Sequence, residues 1–183
     1  MKTRAFLPQL TISVIFLAAI AAGQNPPPVQ VAINSPYVET TPEVVQAMLE
    51  LAGVSSNDVV YDLGCGDGRI VISAAKLYGA RGIGIDINPE RIESARTSAR
   101  QAGIGHLVRF ETNDLFKADF HDASVVALYL LPDANLRLRP RLLNDLKPGT
   151  RVVSHNFAMG DWKPEKEKII DGERIYLWTI PAR

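Results

Sequence analysis

Three glycines at alternate positions, Gly64, Gly66 and Gly68, are fenced by carboxylates: Asp62 before the first, Asp67 between the second and third, and Asp86 further along. Glycine backbone takes positive φ and lets a ligand approach with no Cβ in the way. A glycine-rich turn with an acid about 20 residues beyond it suits a nucleoside, because the distant carboxylate reaches the ribose diol. Asp62 and Asp67, however, put negative charge where a pyrophosphate would otherwise lie. That argues against a dinucleotide and for a ligand with a cationic part.

The elements that must position these residues are legible on either side. Residues 59–63, VVYDL, form an apolar run too short for a helix, which suits a buried parallel strand. From Arg69 the spacing becomes helical, with Ile70, Val71, Ala74, Ala75 and Leu77 able to face a sheet. The helix N-terminus therefore points at whatever lies over the glycines. A second strand over 81–87 carries Asp86 at its tip. S-adenosylmethionine (SAM) is a nucleoside with a sulfonium, an amino-acid tail and no phosphate, and it fits this arrangement. The motifs DLGCGDG and GIDINP resemble motif I and the motif II acid of the class I SAM-dependent methyltransferases. The resemblance implies that Asp62 and the Gly64, Cys65, Gly66, Asp67 and Gly68 stretch hold the methionine end, and that Asp86 takes the ribose hydroxyls. Cys65 reads as a small side chain between two glycines rather than as a reactive thiol. The bland alternative is an ordinary turn with a solvated acid.

The chain of 183 residues balances 20 basic against 20 acidic residues, so no bulk attraction to nucleic acid is implied. An apolar fraction of 46% suits a single folded domain. Lys2 and Arg4 precede an apolar stretch over 10–22 and a proline-rich segment, the layout of a secretory signal peptide. The stretch is short for a membrane span, which needs roughly 20 residues. Between Arg4 and Arg69 there is no Lys or Arg, which would also carry the body of the protein across a membrane. The expected organisation is a signal peptide over 1–23, a flexible linker over 24–35 and the domain over 36–183. Export to the periplasm or medium is one outcome, and anchoring by an uncleaved N-terminus the other. SAM is made in the cytosol, so an exported enzyme would need a supply.

Thr40 and Thr41 before Pro42 and Glu43 are a strong helix start, followed by the apolar positions Val44, Val45, Met48, Leu49 and Leu51, and this helix is expected beside the glycine turn. The segment PYVETTPEVV over 36–45, taken with DLGCGDGRIVI, is similar to the ATP synthase c-subunit lysine N-methyltransferase family and its small bacterial relatives. In that family the stretch before the first helix folds over the cofactor, which implies Tyr37, Thr40 and Thr41 as contacts; capping alone also accounts for the threonines. After a helix opened by Asn88 and Pro89, a third strand over 107–111 leads to Asn113, Asp114 and Leu115. The resemblance gives Asp114 the adenine amino group and Leu115 the ring, with helix capping by Asp114 as the alternative.

A central strand over 123–131 ends in Tyr129-Leu130-Leu131-Pro132, where base-amino methyltransferases carry an Asn/Asp-Pro-Pro-Tyr type tetrapeptide. The departure argues against a base-amino DNA or RNA methyltransferase and agrees with the lysine family. Tyr129 is the candidate catalytic residue, or a core tyrosine at a strand end. A helix over 132–146, with Leu136, Leu138, Leu142 and Leu143 inward, should kink or split at Pro140. Arg137, Arg139 and Arg141 read as a solvated face. His155 ends a fifth strand and reads as structural rather than catalytic. Residues 168–180 read as a hairpin around Asp171-Gly172. Trp162 either lines an acceptor channel or plugs the sheet.

The expected fold is therefore α/β: a Rossmann-like class I methyltransferase with a seven-stranded, mostly parallel sheet and a C-terminal antiparallel hairpin. The resemblance implies transfer of methyl from SAM to the amine of a protein lysine by a monomer. Neither nucleic acid nor metal is expected, and the membrane is met only through the N-terminal segment if that segment stays uncleaved. The rivals are a small-molecule methyltransferase and an exported SAM- or adenosine-binding protein without catalysis.

Overall fold

The computed structural model describes residues 38–183. The expected signal peptide and linker, and Tyr37, lie outside the described residues. The chain runs α1 (Pro42–Leu51), β1 (Val59–Leu63), α2 (Arg69–Tyr78), β2 (Arg81–Asp86), α3 (Pro89–Gln101), β3 (Val108–Thr112), β4 (Val125–Leu128), α4 (Pro132–Asp145), β5 (Arg151–His155), β6 (Lys166–Ile170) and β7 (Glu173–Thr179). The strands form a seven-stranded sheet in the order β3-β2-β1-β4-β5-β7-β6. Neighbours from β3 to β5 pair in parallel, while β7 runs antiparallel to both β5 and β6.

Strand order reverses between β1 and β4, and ligands of open α/β sheets bind outside the carboxyl ends of strands at such a reversal. All five residues of β1 are buried, so its hydropathy does not alternate. Its side chains still do. Val60 joins the core under α1, α2 and α3, whereas Val59, Tyr61 and Leu63 join the opposite core with Leu138, Leu142 and Leu146. Asp62, on the Val60 side, sits in register between Gly84 and Ala127, two small neighbours that leave space beside a carboxylate.

Local chemistry explains the helix ends. Thr41 caps α1 by accepting from Val44 N at 3.4 Å, and Asn88 caps α3 by accepting from Glu90 N at 2.9 Å. The Asp171-Gly172 turn takes φ of 52° and 83° and closes the β6–β7 hairpin. Helix α1 packs on α2, which leaves the glycine turn, and also on β5, β6 and β7.

Three expectations change. Helix α4 is one element through Pro140, because Leu138 and Leu142, buried on either side of the proline, hold both halves to the sheet. Leu136 is 44% exposed, and Asn135 takes the buried place on that turn. The central strand stops at Leu128, leaving Tyr129 to Leu131 as an irregular tip.

Candidate active site

The glycine turn closes over the tip of β2: Gly64 N and Cys65 N both donate to Ile85 O, at 2.8 and 2.9 Å. Gly64 adopts a φ of 94°, and a Cβ there would lie 2.9 Å from Leu130 Cδ2, so the absence of a side chain lets the β4 tip approach the turn. At Gly68 the need is packing, since a Cβ would meet Phe110 at 2.5 Å. Cys65 is buried beneath the turn, its sulfur 2.8 Å from where a Cβ on Gly84 would stand. Burial pushes its thiol well above the usual range, in keeping with a packing role.

Asp62 is 2% exposed. Burial, and then the charges of Asp86 and Asp67, push its carboxyl up to about 8. A buried carboxylate among acids is stabilised by a positive charge and repels a phosphate, so this donor set fits a cationic ligand such as SAM. Asp86 is also buried. Its Oδ2 accepts from Gly66 N at 3.0 Å and its Oδ1 from Asn88 N at 2.8 Å, with Arg91 at 3.8 Å. A carboxylate offers about four lone-pair sites, so hydroxyls of a diol can still be accepted.

Asp67 departs from a free electrostatic fence. The Arg69 guanidinium grips it at 2.9 and 2.6 Å, and Arg69 also reaches Thr40 O at 2.8 Å and Glu39 at 3.0 Å. Arg69 thus ties the segment before α1 to the glycine turn, a function that its place in the motif did not reveal. The two threonines divide their work: Thr41 caps, as above, while buried Thr40 places Oγ1 3.2 Å from His155 Nδ1.

On the far side of β2, Asn113 N donates to Asp86 O at 3.0 Å, which fixes the stretch after β3 next to this buried acid. Asp114 Oδ1 accepts from Phe116 N at 2.9 Å and closes a local turn; no helix follows it, so the expected alternative of a helix cap is not realised. Leu115 packs partly buried against the α4-side core. The Tyr129 ring lies 4.0 Å from the His155 ring and 6.3 Å from that of Phe157. His155 is buried, which lowers its pKa against the smaller upward pull of Glu173, and it is neutral at pH 7. Phe157 carries no motif, and only the fold brings it here. Trp162 accepts from Trp178 Nε1 at 2.8 Å and packs on the core, so it plugs the sheet end.

The family model described as the ANTKMT methyltransferase domain matches residues 62–166, from Asp62 of the site through the first residue of β6. The chain belongs to this family of SAM-dependent methyltransferases. The methyltransferase is 44% identical over 150 residues to a protein-lysine N-methyltransferase of Saccharolobus islandicus, covering 79% of this chain and 93% of that protein. It is 34% identical to the ATP synthase c-subunit lysine N-methyltransferase of Xenopus laevis, over 79% of this chain and 62% of that protein. Among solved structures, it is similar to an RNA methyltransferase from Salinibacter ruber in complex with S-adenosyl-L-homocysteine, with TM-score 0.79 and 53% identity over 80% of this chain and 95% of that one. The names of these relatives therefore disagree on the acceptor.

Proposed function

We propose that this methyltransferase transfers the SAM methyl group to the side-chain amine of a lysine in a protein. The observation that carries the reading is the aromatic wall of Tyr129, His155 and Phe157 beside a turn whose acids suit a cationic nucleoside. SAM supplies an electrophilic methyl on a sulfonium whose charge disperses as the methyl leaves. Asp62 and the Gly64 to Gly68 backbone hold the methionine end, Asp86 the ribose, and Asp114 with Leu115 the adenine. The chain's main task is alignment of the amine, methyl and sulfur, with water kept out. A lysine entering past Leu130 and Tyr129 loses water, which lowers its pKa towards the neutral, nucleophilic form. The aromatic faces tolerate the cationic form that departs.

The Saccharolobus relative's name supports a protein lysine. The α4 arginines favour it over RNA because each is engaged within the chain. Arg137 stacks 3.8 Å from the Phe116 ring centre, Arg139 binds Met159 O and Asp161, and Arg141 binds Asp145 and Ala118 O. Incubation with labelled SAM and fractionated extract tests the reading. Label should run with protein, survive ribonuclease and map to lysine by mass spectrometry. Label in RNA, or only in the low-mass fraction, refutes it.

We also propose that residues 1–23 export the chain as a signal peptide, that 24–35 link it, and that the domain over 36–183 acts as a monomer. The basic residues Lys2 and Arg4 before the apolar stretch 10–22 support this. Cell fractionation with mass spectrometry of the native N-terminus tests export, and a chain beginning at Met1 in the cytosolic fraction refutes it.

A further inference from the structure

Strand β5 ends in a strained tip. Asn156 takes a φ of 60°, in the left-handed region, and Phe157 N donates back to His155 O at 2.8 Å to close a three-residue turn. Such a conformation persists only where its surroundings over-determine it. Here Asn156 N donates to Arg174 O at 2.6 Å, its Oδ1 accepts from Arg174 N at 2.9 Å, and its Nδ2 donates to Glu173. The next carbonyl, Phe157 O, accepts from Ser154 Oγ at 2.8 Å and from Asn135 Nδ2 at 3.0 Å. Burial of Asn135 in place of Leu136 is thereby explained.

The tip presents two aromatic rings to Tyr129, and the nearer, His155, is bonded at both nitrogens. Glu173 Oε2 lies 3.1 Å from Nε2 and can only accept, so Nε2 carries the hydrogen. The Nδ1 lone pair then accepts from the Thr40 hydroxyl at 3.2 Å. This tautomer is assigned from the network. The Thr40 carbonyl is held by Arg69, which also grips Asp67 of the glycine turn. A continuous path thus runs from the glycine turn through Arg69, Thr40 and His155 to the Tyr129 ring.

We propose that His155 is a positioning residue for methyl transfer, registering the acceptor-side ring of Tyr129 against the cofactor turn through Thr40 and Arg69. The inference rests on the reading that Tyr129 faces the acceptor. A buried histidine with a packing role alone would contribute to folding and leave turnover by the folded enzyme unchanged. A registering histidine governs alignment, where a misplacement of about 1 Å costs about a hundredfold in rate.

The test uses the full chain and two variants. His155→Phe keeps a ring against Tyr129 and loses both hydrogen bonds; Thr40→Val replaces the hydroxyl by a methyl and leaves His155 in place. Active sites are counted by calorimetric titration with S-adenosylhomocysteine. Per active site, kcat should fall about tenfold to a hundredfold in both variants, while the S-adenosylhomocysteine Kd and acceptor KM stay within about threefold. His155→Gln, which retains a donor and an acceptor, should recover part of the loss. Unchanged kcat per active site in Thr40→Val overturns the proposal, even if His155→Phe does not fold. A second arm needs no acceptor and so separates this proposal from the lysine reading. S-adenosylhomocysteine should slow amide hydrogen exchange at residues 129–131 in the unaltered chain and not in Thr40→Val. Equal protection in both, or protection in neither, overturns the coupling.

Discussion

Binding of SAM should release a proton from Asp62. Burial, with Asp86 and Asp67 close by, raises this carboxyl from 3.8 to about 8 in the ligand-free protein. At pH 7 the carboxyl is therefore mostly protonated. A sulfonium and an ammonium placed beside it favour the anion and return its pKa towards the ordinary range, so binding at pH 7 releases most of a proton per site. Because the free form holds more protons than the bound form below pH 8, affinity rises with pH and levels off above about 8. The slope approaches tenfold in Kd per pH unit between roughly pH 5 and 7. Calorimetry at pH 7 in two buffers of different ionisation enthalpy reads the proton directly, because the apparent binding enthalpy shifts by the protons exchanged. Asp62→Asn controls for the ligand's own amine and should abolish the difference attributable to the site. S-adenosylhomocysteine, which lacks the sulfonium, should release less. Equal proton exchange by Asp62→Asn and the unaltered chain would refute the reasoning.

Gly64→Ala places a methyl 2.9 Å from Leu130 Cδ2 at a φ of 94°, so thermal stability should drop by about 1–3 kcal/mol and SAM affinity with it, as read by melting and calorimetry. Asp86→Ala removes the acceptor of Gly66 N and Asn88 N together with the proposed ribose contact; Kd for S-adenosylhomocysteine should rise about tenfold to a hundredfold. Tyr129→Phe keeps the ring and should keep most of kcat, whereas Tyr129→Ala opens the proposed acceptor wall and should lower kcat at least about tenfold in a steady-state assay with the proposed lysine acceptor. His155 has a folded pKa depressed below 6.5, so its neutral form contributes stability present above pH 6.5 and lost as pH falls through the lowered pKa. The melting temperature should therefore decline below pH 6.5 less steeply in His155→Phe than in the unaltered chain.

Features that depend on a few neighbouring residues were legible in the sequence. The glycine turn, the acids around it, the caps at Thr41 and Asn88 and the Asp171-Gly172 hairpin all rest on local dihedral needs and short-range hydrogen bonds. The alternation of strands and helices then leaves few topologies, since parallel strands need crossovers and these are right-handed. From that, the seven-stranded sheet and the position of Asp62 and Asp86 at its carboxyl edge follow.

Tertiary structure alone decided which side chains meet across the sheet. Thr40 and His155 are 115 positions apart, and nothing in either neighbourhood marks the other as its partner. The pattern of charge suggested a solvated arginine face on α4, but Phe116, Asp161 and Ala118 O arrive from elsewhere in the chain and engage it. Asn135 took the buried position from Leu136 because a strained turn on β5 needed a donor there. Dihedral preference and periodicity act over one or two turns of chain, so the amino-acid order determined the elements and the cofactor-side acids. Long-range hydrogen bonds are specified by where packing brings the strand ends, and so the aromatic wall of Tyr129, His155 and Phe157 belongs to the fold.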